Sequence, residues 1–291
     1  MKFSIVIPSL QQAEFLRATL QSVLTQDYPN CEILVRDGGS TDGSVDILRE
    51  LGRAGAFRWI SEPDGGQAEA INHGLKEATG DIHAYLNSDD VYYPGTLRRA
   101  AEYFATHPDC LVLYGDADHL NRDGSFMERY PVEPWDYRRL QTVCFLCQPA
   151  VFWRREVEAR FGVFDPDLHF SMDYEYWLRL GKEISFHHLE GPPLAGSRLH
   201  ANTKTMSQRV PAHQEFLQVV MRHDGERPAI LKWLRAIAEL RLAAVKPPPA
   251  SRFGRSAIYV RYLFAAAWQF AVPPGADLFA EAKAALLKRK M

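Results

Sequence analysis

The sequence predicts an α/β fold: a mostly parallel sheet flanked by helices, with a helical C-terminal extension. Strand-like and helix-like patterns alternate from Phe3 to Tyr114, which is how a parallel sheet is threaded. Polar and glycine-rich segments follow the strand-like runs at Ser9, Asp37 to Gly43, Asp64 to Gln67 and Asn87 to Asp90. Open α/β sheets bind ligands at that end of their strands. From Ser207 onward the pattern is helical alone, apart from a proline-rich break.

The elements follow in order. Phe3 to Pro8 is a continuous apolar run, as a strand buried on both faces requires. Gln12 to Gln26 carries Phe15, Leu16, Leu20, Val23 and Leu24 at helical spacing, and Tyr28-Pro29-Asn30 stops it. Glu32 to Arg36 is a strand, Asp37 to Gly43 a turn, and Ser44 to Leu51 a helix. Phe57 to Ile60 is a third strand, and Ala68, Ile71 and Leu75 set a helix over Gln67 to Ala78. Asp81 to Leu86 is a fourth strand. Pro94 suits the first turn of a helix reaching Thr106, and Leu111 to Tyr114 is a fifth strand.

The middle is less regular. Asp123-Gly124 marks a hairpin turn. Gln148 to Trp153, Ile184 to Leu189 and Pro193 to Leu199 read as strands, and Asp173 to Leu180 as a helix. Ser207 to Val245 reads as helical, Lys246 to Ala250 as a stiff proline linker, and the remainder as one apolar, aromatic helix with a basic end. The expected division is 1–205 for a catalytic domain and 206–291 for an extension with a packing, dimer or membrane-surface role.

Composition excludes several classes. Apolar residues make up 46% and charged residues 24%, so the chain is neither disordered nor fibrous. With 34 basic and 36 acidic residues the net charge is −2, and no basic excess points to nucleic acid. The 4 cysteines, Cys31, Cys110, Cys144 and Cys147, are too few for a disulfide framework, so a reducing, cytoplasmic setting is expected. Pro8 interrupts the first apolar run and no small-residue cleavage site follows, so that run reads as a strand, not a signal peptide. No apolar stretch reaches the roughly 18 residues of a membrane span; Ala257 to Val272 comes nearest and contains Arg261.

Chemistry concentrates in a few segments. Asn87-Ser88-Asp89-Asp90 puts carboxylates at the end of a strand, which suits a hard divalent cation sharing phosphate oxygens; it equally suits a capping turn. Asp37 to Gly43 fails as a calcium loop, because Gly39 and Thr41 stand at liganding positions, and fails as a Walker loop. It remains a glycine-rich turn, or a loop whose amides and Asp37 face a nucleotide. Asp173 is a helix cap or, if it reaches the same crevice, a general base.

Several segments in the same order resemble one family. SIVIPSLQQAEFLRATLQSVLTQDYPNCEILVRDGGSTDGS, SEPDGGQAEAINHGLKEATGDIHAYLNSDDVYYPGTL, QPAVFWRREVEARFGVFD and SMDYEYWLRL resemble inverting family two glycosyltransferases of the GT-A fold. The resemblance spans about residues 3 to 205. It implies an inverting, hexosyltransferase-type transfer from a nucleoside diphosphate sugar, assisted by Mn²⁺ or Mg²⁺. Asn87-Ser88-Asp89 falls at the family's DxD position with Asn87 replacing the first acid, Asp89 as the main metal ligand and Asp90 as a second candidate. Asp37 falls at the base-recognition carboxylate, which favours UDP or dTDP, while Pro8, Ser9 and Leu10 would wall the base and ribose. Gly66 and Gln67 would approach the donor, and Asp173 would be the single base. His200 would complete the metal shell and Arg198 would pair with phosphate, although both also suit a surface loop.

Other features are expected to be structural. Asp116-Ala117-Asp118 follows the wrong strand for the family's metal, so an acceptor-cleft or turn role is assigned to it. Cys144 and Cys147 read as buried thiols, His187 and His188 as strand neighbours facing opposite ways, Trp177 as core and Tyr174 as an acceptor contact. Tyr259, Tyr262, Leu263, Phe264, Trp268 and Phe270, near Arg252, Arg255, Arg261 and the basic end, form either an interfacial helix or a packed or dimer helix. The expected partners are a nucleotide sugar and a saccharide or lipid-linked acceptor, without nucleic acid, with peripheral contact at the inner membrane face or a homodimer through the tail. A nucleotidyltransferase would need a basic glycine-rich loop after the first strand, which Ser9-Leu10-Gln11-Gln12 is not. A nucleotide-sugar-binding protein that has lost its chemistry is the other alternative, with Asn87 its support and Asp89, Asp90 and Asp173 against it.

Overall fold

The computed structural model describes residues 1–53, 55–200, 203, 208–246, 248–249 and 251–287. The chain forms two compact units, Met1–Tyr137 with Cys144–Ala201, and Arg138–Val143 with Asn202–Met291. Arg138–Val143 thus belongs to the second unit although it falls within the 1–205 stretch expected to form the catalytic domain.

The first unit opens as the periodicity predicts: β1 (Phe3–Ser9), α1 (Ala13–Leu24), β2 (Cys31–Asp37), α2 (Ser44–Gly52), β3 (Arg58–Ser61), α3 (Gln67–Glu77) and β4 (Ile82–Tyr85). Next come β5 (Val91–Tyr92), α4 (Thr96–Thr106), β6 (Val112–Gly115), β7 (Ala117–Leu120) and β8 (Phe126–Arg129). A short helix α5 (Tyr137–Leu140) leads out, and a 3-10 turn (Gln148–Ala150) leads into β9 (Val151–Arg154). The unit closes with α6 (Glu156–Phe161), α7 (Met172–Gly181), β10 (His187–Leu189) and β11 (Ala195–Arg198). The main sheet has 7 strands in the order β10-β6-β9-β4-β1-β2-β3. All neighbours in it are parallel except β9, which runs antiparallel to β4 and β6. A second sheet of 4 strands has the order β5-β11-β7-β8.

β1 is buried along its whole length, with α3 packed against it, which explains its unbroken apolar run. Its proline is placed where it costs no ladder bond. Val6 O accepts from Leu86 N at 2.9 Å, so Pro8 faces the same side, beyond the last β1–β4 pair, Val6↔Tyr85. Across the sheet α3 approaches β1 so closely that a Cβ on Gly74 would lie 2.4 Å from Val6 Cγ1.

Some expectations shift. α4 starts at Thr96, because Gly95 has φ 82 and caps the helix, leaving Pro94 outside it. Only the end of the Gln148–Trp153 segment is strand. The long tail helix is two helices, α8 (Arg209–Arg222) and α9 (Arg227–Ala243), and the last helix is also two, α10 (Arg252–Gln269) and α11 (Ala276–Leu287). Pro247 and Ala250 of the linker and the basic end 288–291 lie outside the described residues. In the second unit Gln141 and Thr142 anchor α9, through Trp233 Nε1 to Gln141 O at 3.1 Å and Lys232 Nζ to Thr142 O at 2.5 Å. Among the described residues, no helix is long and apolar enough to cross a membrane.

Candidate active site

The carboxyl ends of β1 to β4 bring together the loops singled out by sequence. The first pair of loops is stitched by polar side chains. Gln11, a non-glycine residue at φ 55, donates its N–H to Ser40 Oγ at 2.8 Å and exchanges side-chain bonds with Thr41. That turn leaves Leu10 exposed at 54%. Pro8 and Ser9 are buried beneath it, and Ser9 Oγ has no partner among the described residues.

Asp37 does not point into the crevice. It is 2% exposed, and its carboxylate accepts from Gly39 N, Ser40 N, Ser40 Oγ and Ser61 Oγ at 3.2, 2.9, 2.6 and 2.6 Å. It therefore holds the loop closed on itself. A second carboxylate, Asp64, stands beside this loop. A Cβ on Gly38 would meet Asp64 Oδ2 at 3.1 Å and Leu10 Cδ1 at 3.3 Å, so Asp64 and Leu10 converge over a backbone without a side chain. Asp64 Oδ1 accepts from Gly66 N at 2.9 Å, and Gly66, at φ 129, leads directly into α3. The signal was present in Pro63-Asp64-Gly65-Gly66, a turn whose acid can bond its own backbone two residues on.

The turn after β4 carries a directed chain of amides. Gln148 Nε2 donates to Tyr85 O at 2.8 Å, so Gln148 Oε1 faces Asn87 and accepts from its Nδ2 at 3.2 Å. Asn87 Oδ1 then accepts from Gln67 Nε2 at 2.6 Å. Ser88 is 4% exposed and sits under the turn, away from the crevice.

The two aspartates of this turn separate. Asp90 is 3% exposed, with Oδ1 accepting from Arg198 N at 2.8 Å and Oδ2 from Asn87 Nδ2 at 3.4 Å. Burial, then the neighbouring Asp89 charge, pushes its carboxyl well above the usual range. Asp90 thus braces the turn against β11 and is not directed at a ligand. Asp89 instead pairs with His200, Oδ2 to Nε2 at 3.0 Å, and the imidazole lies against the Phe15 ring at 4.8 Å between centroids. Arg198 is 6% exposed and its guanidinium donates to Asp89 O at 2.8 Å and Arg122 O at 2.9 Å, over the Phe15 ring. In this arrangement Arg198 braces two loops.

A hard carboxylate and an imidazole that already touch are suitable ligands for Mn²⁺ or Mg²⁺, with phosphate oxygens and water filling the remaining positions. Among the described residues no group of three or more His, Cys, Asp or Glu is arranged to hold an ion.

Asp173 stands in the first turn of α7, half-buried, its Oδ1 accepting from Tyr174 N at 2.7 Å. The buried Tyr85 phenol is pushed up by burial first, then by the charges of Asp173 and Asp90. Burial and then Asp173 likewise raise the Cys144 thiol, and burial raises Cys147. Cys147 is buried and Cys144 half-buried, both reduced, as expected of inert thiols. Tyr174 is 2% exposed, so it offers no face to an acceptor. Trp177 is fully buried against Trp153 and Phe186 at 5.9 and 6.1 Å between ring centroids.

The remaining candidates are structural. Asp116 accepts from His188 Nε2 and Gly191 N at 3.0 and 3.1 Å, and Asp118 accepts from Tyr93 Oη at 3.0 Å. His187 and His188 do turn apart, the first toward Tyr103 and the second onto the Tyr114 ring.

A mixed, parallel-rich sheet with its polar crevice at the strand ends, a carboxylate turn after β4 and a returning histidine define a GT-A glycosyltransferase fold. Solved structures agree. The chain matches a crystal structure of S. aureus TarS 1-349 in complex with UDP-GlcNAc at TM-score 0.61 and 18% identity, over 99% of this chain and 89% of that one. It matches the mannosyltransferase PcManGT from Pyrobaculum calidifontis, in complex with GDP-Man and Mn²⁺, at TM-score 0.60 and 19% identity, over 99% and 81%. The family model described as glycosyl transferase family 2 matches residues 4–159, and the chain belongs to that family.

Among curated relatives, an uncharacterized glycosyltransferase of Rickettsia felis is 26% identical over 75% of this chain. The chain spans only 37% of that relative's length. A PGL/p-HBAD biosynthesis glycosyltransferase of Mycobacterium bovis is 30% identical over 61% of this chain and 68% of its own.

Proposed function

We propose that this protein is an inverting, hexosyl-type glycosyltransferase using a nucleoside diphosphate sugar, with UDP- and dTDP-sugars favoured, and a saccharide or lipid-linked saccharide as acceptor. The observation that carries the reading is the Asp89–His200 pair at 3.0 Å after β4, with Asp173, a half-buried acid in the first turn of α7, as the candidate base. Complexes of the structural neighbours with UDP-GlcNAc and with GDP-Man and Mn²⁺ support a donor of this kind.

Asp89 and His200 would hold a divalent cation, which supplies Lewis-acid neutralisation of the diphosphate. The chain's own residues do the rest. Leu10 and the backbone at Gly38 give the base an apolar seat. Asp64 accepts a hydrogen bond from an imide N–H, which uracil and thymine carry and cytosine lacks. Gln67, oriented by Asn87, approaches the donor from the start of α3. Asp173 takes the proton of the acceptor hydroxyl as its oxygen bonds the anomeric carbon. The bond from that carbon to the phosphate oxygen breaks, and the nucleoside diphosphate leaves with the electron pair. One base and a single displacement invert the configuration.

Calorimetric titration with UDP, dTDP, GDP and CDP, each with Mn²⁺ and with chelator, tests the donor site. UDP or dTDP should bind only with metal, and CDP should not bind. Asp173→Asn should keep that binding and lower transfer by about 10² to 10⁴. Binding that is indifferent to chelator removes the metal assignment, and unchanged turnover in Asp173→Asn removes the base.

A further inference from the structure

We infer that the outward face of the α10–α11 helix pair is an interfacial surface that docks on anionic membrane lipid. The inference is independent of the transferase reading, since it concerns the second unit alone.

The apolar content of these helices is only partly spent on packing. Tyr259, Leu263, Ala266 and Phe270 of the α10 segment are buried, as are Leu278 and Ala282 of α11. A second stripe faces water. On α10 it runs through Arg261, Ala265 and Trp268, and on α11 through Phe279, Lys283 and Leu286, each set spaced to share one helix face. Trp268 is 88% exposed, Phe279 57% and Leu287 59%, values rare for side chains this large in water. Phe264 and Phe279 touch at 5.5 Å between centroids, so the two stripes join.

Charge says what covers this face. The acids of α10 and α11 are Asp277 and Glu281, and both turn inward to α9. Asp277 pairs with Arg227 at 2.8 Å, and Glu281 with Arg235 at 2.8 Å. The outward face is left with Arg261 and Lys283, both exposed, and the acids of these two helices are spent on α9. A second copy docking through the same patch would set these cations against their own images. An anionic lipid surface instead complements them, and Trp beside Arg and Lys is the arrangement that seats at the headgroup level. Their aliphatic stems lie along the apolar stripe while the charged ends stay in the headgroups.

The full chain should co-sediment with vesicles of phosphatidylcholine and phosphatidylglycerol, not with phosphatidylcholine alone, and added salt should release it. Arg261→Gln and Lys283→Gln should each weaken binding about fivefold. Trp268→Phe should abolish the lipid-induced blue shift of tryptophan fluorescence while circular dichroism stays unchanged. The proposal is overturned if the intact chain ignores anionic vesicles, or if the charge variants bind as the parent does. It is equally overturned if lipid-free sedimentation shows a dimer that Trp268→Ser dissociates, because a second copy then covers the face.

Discussion

Asn87 stands where the family pattern carries an acid, and its neighbours suit the amide better than a carboxylate. Gln148 is fixed in orientation because Tyr85 O can only accept, so an oxygen of Gln148 faces position 87. An aspartate there would set its own oxygen against Gln148 Oε1 and against Asp90, whose charge burial already disfavours. Asn87→Asp therefore restores the family's sequence and is expected to cost about 1 to 3 kcal/mol of local stability, with about tenfold weaker metal-dependent nucleotide binding. Calorimetry on the variant checks this, and tighter binding or faster transfer would contradict it. The same residues show what the sequence could display. The order of the motifs located the crevice and the Asp89–His200 pair. It did not reveal that Asp37, Asp90 and Arg198 are engaged by neighbouring backbone and side-chain partners, because those bonds depend on loop paths that spacing does not encode. Asp64 belongs to one of the polar segments at the strand ends, but its place beside Gly38, across a loop, is likewise not encoded by spacing.

The elements with strong periodicity were the legible ones. β1, β2 and α1 to α3 lie within a residue or two of where their apolar patterns put them. Terminal breaks were harder. The α8–α9 break rests on Asp224 at φ 55 and on Gly225 N donating to Val220 O at 2.8 Å, a C-terminal cap that its Asp-Gly dipeptide encoded within an otherwise helical pattern. β9 reverses direction in the sheet, and nothing in its four residues, Val151–Arg154, records orientation. The packing of α3 on β1 gives a test at this scale. Gly74→Ala gains about 1 kcal/mol of helix propensity. The new Cβ would fall 2.4 and 2.9 Å from the two methyls of Val6, and overpacking of that kind costs about 1 to 3 kcal/mol. The clash should win, lowering the unfolding midpoint, and Val6→Ala in the same chain should recover part of the loss. A raised midpoint in Gly74→Ala alone would mean that α3 can shift away from the sheet.

The first unit is anchored at the end of its sheet opposite the crevice, and there one acid ties together several parts of the chain. Glu32 in β2 accepts from Ser4 Oγ in β1 at 2.5 Å, from Thr79 N at 2.6 Å and from Lys2 Nζ at 3.0 Å. Burial pushes its carboxyl up, but the bonds from Ser4, Thr79 and Lys2 together outweigh that and hold it at about 2. A carboxylate lowered from 4.5 in this way stabilises the fold at every pH above its unfolded value. The contribution falls away as the pH drops from about 5 toward 2, and at about 1.4 kcal/mol per unit it amounts to about 3 kcal/mol. Glu32→Gln should lower stability at pH 7 by that order and flatten the acid limb between pH 5 and 2, read by denaturant unfolding at each pH. A variant whose stability follows the parent's down through that window would show that the strands are held at this end by packing alone.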